Sequence, residues 1–247
     1  MNKFIITFDI DWAPDFVIDE VASILRDSRV RATWFVTHQS AAVDRLREDA
    51  DLFELGIHPN FLPGSTHGNT PEVVLMNTLS IVPEAISVRT HGLFQSSHLL
   101  DEMIIGRTNL KVDSSLFLPD MPNIQPLEYR RISGTLLRVP IFWADVYEME
   151  KGDSMQFTPL LKVKGLKVMA FHPIHIYLNL SELKPYERVR QEAPRLSELT
   201  ATIADRYIQT KEGTQTLFRE LVDYLAIVGK SLRLRDIFTI WNDKGRV

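Results

Sequence analysis

Two aspartates close an apolar run near the start of the chain, Phe4-Ile5-Ile6-Thr7-Phe8-Asp9-Ile10-Asp11. Residues two apart leave the same face of a strand, so Asp9 and Asp11 would emerge together at a strand tip. Carboxylates this close repel one another and resist desolvation, so a converging pair holds a cation or shares a proton. The plainer alternative is a pair of solvated acids ahead of the next helix. The chain has seven histidines, and five of them, His58, His67, His91, His172 and His175, fall in loops directly after stretches that read as strands. Arg89 and Asp113 fall at strand ends of the same kind. In a parallel α/β protein those loops gather at one end. Carboxylates and imidazoles gathered there could bind a divalent ion, activate water and move protons near neutral pH. Any one of these histidines is more readily a satisfied or solvated side chain, but five at one rim are harder to explain that way.

The elements that would position them are legible from spacing. Apolar residues at Phe16, Val17, Val21, Ile24 and Leu25 predict a helix over Asp15 to Asp27. A strand follows at Arg31 to Thr37, a helix at Ala41 to about Glu48, and a strand at Leu52 to Ile57 that stops at His58-Pro59. A polar loop then leads to Pro71, which opens a helix to about Ile81. Ala85 to Arg89 reads as a strand, Ser96 to Ile105 as a helix capped by Ser96 or Ser97, and Leu110 to Val112 as a strand. This alternation predicts a parallel sheet. From Asp120 to about Lys164 the rhythm breaks, and Tyr129 to Val139 reads as a β-hairpin insertion. Leu166 to Phe171 resumes the pattern as a fully buried strand. A charged helical excursion, Leu183 to Ile208, precedes a strong helix from Gly213 to Val228 that Gly229 would end, and Ser231 to Ile237 reads as a last strand.

Composition narrows the chemistry. At 247 residues the chain suits one α/β domain spanning 1–247, and a (β/α) barrel in particular. With 28 basic against 32 acidic residues and a net charge of −4, no nucleic-acid partner is implied. The absence of cysteine leaves Asp, Glu and His as the available metal ligands. No run approaches the ~20 apolar residues of a membrane span, and no apolar leader precedes Asp9, so the expected compartment is the cytoplasm. Nothing in the sequence specifies an oligomeric state.

Taken in order, these motifs resemble the NodB-homology polysaccharide deacetylases, carbohydrate esterase family 4. Thr7-Phe8-Asp9-Ile10-Asp11 is similar to the family's Thr-Phe-Asp-Asp-Gly, and Ala32-Thr33-Trp34-Phe35-Val36 to its Ala-Thr-Phe-Phe-Val. Glu54-Leu55-Gly56-Ile57-His58 resembles the strand that delivers the first metal histidine, and Arg89-Thr90-His91-Gly92 stands where the family carries Arg-x-Pro-x-Gly. Asp113-Ser114-Ser115 and Met169-Ala170-Phe171-His172-Pro173 are similar to the family's Asp-Ser-Ser and Leu-x-x-His-Pro segments. A narrower resemblance, carried by His58-Pro59-Asn60-Phe61 and His172-Pro173-Ile174-His175, is to a WbmS-like branch found with O-antigen biosynthesis.

The resemblance implies a distorted (β/α) barrel and a hydrolase that removes N-acyl groups from an amino sugar of a bacterial surface polysaccharide or its precursor. It implies one divalent ion, zinc by preference, held by Asp11, His58 and His67. Asp9 would be the general base, oriented by Arg89, and His172 the general acid, while His91, Asp113, Trp143 and His175 are candidates for substrate contact. Trp12, Trp34, Phe61 and Phe94 could add an apolar wall. Three departures stand out: Ile10 separates the family's adjacent acids, His67 lies far beyond the usual four-residue spacing from His58, and His91 replaces a proline. Two alternatives remain. One is a haloacid-dehalogenase-type phosphatase using Asp-x-Asp, for which a convincing later acidic pair is missing. The other is a deacetylase-like domain that has lost catalysis and binds a glycan or a partner.

Overall fold

The computed structural model describes residues 3–106, 108–152 and 155–244. Nine strands form one sheet: β1 (Lys3–Asp9), β2 (Ala32–Val36), β3 (Phe53–Ile57), β4 (Ser87–Val88), β5 (Val112–Asp113), β6 (Leu127–Arg131), β7 (Gly134–Arg138), β8 (Ile141–Ala144) and β9 (Leu166–Phe171). Their order is β6-β7-β5-β4-β3-β2-β1-β9-β8, and every neighbouring pair is parallel except β6 with β7. The sheet curls into an incompletely closed barrel. Among the described residues its two flanks touch at a single bridge, Phe117 to Ile141, through Ile141 N–H to Leu116 O at 2.7 Å and Leu118 N–H to Ile141 O at 2.9 Å.

Alternation along β1 divides the core. Phe4, Ile6 and Phe8 face outward into the cluster shared with α1 (Asp15–Asp27), α2 (Ala41–Glu48), α3 (Pro71–Ile81) and α4 (Ser97–Ile105). Ile5 faces inward, with Phe35, Val112, Leu137, Val168 and Ala170. The helices start where the sequence places them. Ser40, Thr70 and Ser96 each accept a hydrogen bond from the amide three residues on, Pro71 opens α3, and Ser96 rather than Ser97 caps α4.

The stretch read as an insertion belongs to the sheet. β7 extends it beyond β5, and β8, which the broken rhythm concealed, pairs with β9. The short helices α5 (Asp145–Lys151) and α6 (Thr158–Lys162) link β8 to β9, and α7 (Pro173–Tyr177) follows β9 directly. The charged excursion forms α8 (Lys184–Glu192) and α9 (Ala201–Ala204), and α10 (Thr214–Val228) ends at Gly229 with φ +63°.

The last expected strand is instead the start of α11 (Leu234–Lys244). Locally, Leu232 and Leu234 alternate with Arg233 and Arg235 and imitate a strand. Leu234 and Ile237, three apart, are buried in the inner cluster, with Trp241 packed against it, so the longer helical spacing prevails. The first amides of α11 find acceptors inside the sheet. Leu234 N–H donates to Thr33 Oγ1 at 3.0 Å and Arg235 N–H to Glu54 Oε2 at 2.8 Å. This helix seals the interior that the strands leave open.

Candidate active site

Asp9 ends β1 on its inner face, almost fully buried, where a lone carboxylate would be costly. Arg89, just beyond β4, is completely buried and donates from Nη1 to Asp9 Oδ1 at 2.9 Å. Two further donors go to Ser114, Nε to the backbone oxygen at 3.0 Å and Nη2 to Oγ at 3.1 Å. The guanidinium lies 4.4 Å from the centroid of the Phe35 ring. Gly56 makes room for that ring, because a Cβ there would stand 2.9 Å from Phe35 Cδ1 and 2.8 Å from Ser87 O. Burial lowers Arg89 from the ordinary arginine value, the contact with Asp9 opposes that, and the hydrogen bonds to Asp9 and Ser114 fix the geometry of the guanidinium.

Beyond Asp9 the chain makes a left-handed turn, with φ +40° at Asp11 and +58° at Trp12. The turn brings the Asp11 carboxylate over the ends of β3 and β4. Asp11 Oδ1 lies 3.2 Å from His58 Nε2 and 3.1 Å from His91 Nδ1, and those two nitrogens are 3.4 Å apart. A tetrahedral ion with bonds of about 2.0–2.1 Å separates neighbouring ligand atoms by about 3.3 Å, so this triangle has the size a zinc-like ion requires. The His58 orientation also suits a ligand: Nδ1–H donates to Arg89 O at 2.7 Å, so Nε2, which faces Asp11, is the nitrogen that would release its proton to bind an ion. Burial would raise Asp11, but hydrogen bonds from His172, His58 and His91 outweigh it and hold the carboxyl well below its usual range. The bond to Asp11 raises His91 against the effect of its burial.

On the opposite side His172 points Nε2 at Asp11 Oδ2, 3.4 Å away, and donates from Nδ1 to Asp145 Oδ1 at 2.9 Å. Asp145 begins α5, fully buried, and also accepts from Val146 N–H, from His172 N–H at 2.7 Å and from His175 Nδ1 at 3.0 Å. Asp145, His172 and His175 are near enough to hold an ion too. Four donors already point at this carboxylate, however, and both imidazoles present N–H rather than a lone pair, so the group fits a hydrogen-bonded relay better. Burial opposes the charged form of His172, and Asp145 with Asp11 overcomes it, keeping the imidazole protonated well above its ordinary value.

The residues expected at the site divide accordingly. Asp9, Asp11, His58, Arg89 and His172 come together, and His91 joins them beside Asp11 rather than at a substrate surface. His67 does not: its Nδ1 accepts from Asn60 N–H at 3.0 Å and its Nε2–H donates to Thr37 O at 2.8 Å, so neither nitrogen is open to an ion. Asp113, fully buried, is bound by Arg138 Nε at 2.8 Å and Ser115 Oγ at 2.6 Å, and cannot touch a substrate. Trp143 is core, 4.8 Å from Phe171 between ring centroids, and Trp34 is fully buried against Phe8. His175 is buried behind His172 with Tyr186 edge-on to it. Asp145 was missed, although Phe142-Trp143-Ala144-Asp145 repeats the apolar-run-then-acid pattern of β1; without β8 there was no strand for it to end.

A model of the family described as "WbmS-like: Polysaccharide deacetylase" matches residues 6–190, which include Asp9 and His175. The chain belongs to this family. A crystal structure from Bordetella bronchiseptica, described as a polysaccharide deacetylase involved in O-antigen biosynthesis, is 31% identical over 90% of each chain, with a TM-score of 0.79. A polysaccharide deacetylase structure from Mycobacterium smegmatis is 15% identical, over 86% of this chain and 93% of that one, with a TM-score of 0.53. A peptidoglycan N-acetylglucosamine deacetylase is 13% identical, over 96% and 88%, with a TM-score of 0.51. These last two share the fold. No curated protein sequence matches. Family and site together make the chain a deacetylase-type hydrolase that works through a metal-binding cluster of Asp and His. No helix among the described residues is long and apolar enough to cross a membrane.

Proposed function

We propose that the chain removes the N-acyl group from an amino sugar of a bacterial surface-polysaccharide precursor, with Asp11, His58 and His91 holding one zinc ion. The observation that carries this is the triangle of one carboxylate oxygen and two imidazole nitrogens, 3.1–3.4 Å on its edges, flanked by the Asp9–Arg89 pair and by His172. When bound, the ion would lower the pKa of a water and polarise the acyl carbonyl. Asp9, held through Oδ1 by Arg89, takes the proton from the attacking water. His172, charged through Asp145, then gives its Nε2 proton to the departing amine, which would otherwise leave as a poor anion. Arg89 does no proton transfer, since a guanidinium stays charged; it holds the Asp9 carboxylate aimed.

The substrate class rests on the 31% identical relative, which is described as acting in O-antigen biosynthesis. Inside the cell, acylated amino sugars are nucleotide-linked or lipid-linked, and a site that acts on one N-acyl group needs no long chain. We place the reaction there, in the cytoplasm. The test is acetate release by the zinc-loaded protein from three substrates: an acylated nucleotide or lipid-linked amino sugar, polymeric chitin, and peptidoglycan. Activity on the first with little on the others is expected. Strong activity on the polymers and none on the precursor would refute the substrate reading, and no activity anywhere with no bound metal would favour a binding domain.

A further inference from the structure

His67 was the expected third ligand, and the structure gives it a different task. Both of its ring nitrogens are spent on backbone, and each backbone group it holds leads directly to a different metal-binding side chain. The first route runs through Thr37. His67 Nε2–H donates to Thr37 O at 2.8 Å, and the Oγ1 of the same residue accepts Trp12 N–H at 3.0 Å. Trp12 is the second of two consecutive left-handed residues whose turn presents Asp11. Non-glycine residues occupy that region at an energetic cost and stay there only where surrounding groups hold them. Thr37 supplies such a hold, and His67 anchors Thr37.

The second route runs through a single peptide unit. His67 Nδ1 accepts the N–H of Asn60 at 3.0 Å, while the oxygen of the same peptide plane, Pro59 O, accepts His91 N–H at 3.0 Å. Turning that plane would move the His91 backbone. The rings form a third connection: Trp12 lies 5.5 Å from His67 and stands edge-on to His91 at 5.4 Å. Ser65 Oγ, which accepts His67 N–H, and Asn77, which donates to His67 O, hold the histidine in turn.

We infer that His67 is a positioning residue of the metal centre, one that fixes Asp11 through Thr37 and His91 through the Pro59–Asn60 peptide without touching the ion. The inference rests on the ligand set Asp11, His58 and His91. It requires the neutral Nε2–H tautomer, because only that form accepts from Asn60 and donates to Thr37 at once. It also accounts for the long separation of His67 from His58: a clamp across two loops has no need of helical or strand spacing.

The test uses zinc alone, measured as bound equivalents and as affinity by chelator competition, on the full chain and its variants, with thermal unfolding of each metal-free protein. His67→Ala should keep one equivalent but bind it about 10- to 100-fold more weakly, the range seen when groups supporting metal ligands are removed. Thr37→Val, which deletes the Oγ1 that accepts Trp12 N–H and meets His38 Nδ1, should weaken zinc in the same direction. The double variant should lose less than the product of the two, since both act on one turn. His91→Ala should lose the equivalent altogether. Affinity in His67→Ala within about threefold of wild type, whatever its unfolding temperature, would make His67 merely structural and overturn the inference while leaving the ligand set intact. Loss of all zinc in His67→Ala with retention in His91→Ala would overturn the ligand set itself. Should His67→Ala fail to fold, His67→Phe, which keeps a ring beside Trp12 but neither accepts from Asn60 N–H nor donates to Thr37 O, replaces it under the same criteria.

Discussion

Asp145 accepts two imidazoles and two backbone amides, and no charged group of the site is more completely enclosed. Its effect on His172 sets a pH dependence. The carboxylate favours the protonated imidazole, so His172 keeps its proton above the pH at which an ordinary imidazole loses it, and the rate falls when that proton is lost. Asp145→Asn removes the negative charge, which weakens the hold on the proton. The alkaline limb of kcat should therefore move to lower pH, with turnover down by about 10²-fold or more. An unmoved limb in the pH–rate profile would assign that limb to another group. Asp9→Asn should keep zinc, because Asp9 lies outside the ligand triangle, and lose about 10²-fold or more in turnover; metal analysis beside acetate release checks both halves. The sequence showed which residue types gather here, since Asp, His and Arg at strand ends of a parallel sheet must share one rim. It did not show which of His67 and His91 meets Asp11. That choice depends on a left-handed turn at Asp11 and Trp12 and on two backbone hydrogen bonds to His67, neither of which has a sequence signal of its own.

At the scale of elements, β3 and α11 meet at Glu54. This carboxylate is almost fully buried, accepting from Thr33 Oγ1 at 3.0 Å, Ser87 Oγ at 2.5 Å and Arg235 N–H at 2.8 Å. Burial raises it above the ordinary glutamate value of 4.5 despite these donors. Between 4.5 and the raised value the folded chain binds a proton that the unfolded chain has released, so stability contributed by Glu54 falls as pH rises through that window. Urea unfolding of Glu54→Gln at mildly acidic and at neutral pH should show a flatter dependence than wild type; an equally steep one would mean that other groups govern it. Leu234→Ala, emptying a fully buried site on α11, should cost about 2–5 kcal/mol in the same assay. The strand–helix alternation from β1 to α4 was readable because each strand is short, apolar and followed by a cap or a proline. The end of the chain was not, because the partners that settle α11 as a helix are Thr33 and Glu54, about two hundred residues away in sequence.

For the molecule as a whole, the metal site and the core are separate. The ligand triangle sits on loops above the sheet, whereas the two hydrophobic clusters lie between sheet and helices and inside the curl. Removing the ion with a chelator should therefore abolish acetate release and leave the far-ultraviolet circular dichroism unchanged. The free energy of unfolding should fall only by the binding linkage, about 2.7 kcal/mol at a hundredfold excess of metal over Kd. Collapse of the dichroism on chelation would show that the ion is part of the folding nucleus. The position of β1 has a further consequence, for synthesis on the ribosome. It is made well before β9, yet its place is between β2 and β9, with Phe8 beside Phe171. Until β9 emerges, β1 has one free edge, and until α11 emerges, Ile5, Phe35 and Val168 lack their cover. The growing chain thus carries an unpaired strand until β9 is made and an open apolar trough until α11 is made. Its yield should depend on chaperones that shield such surfaces more than its finished stability would suggest.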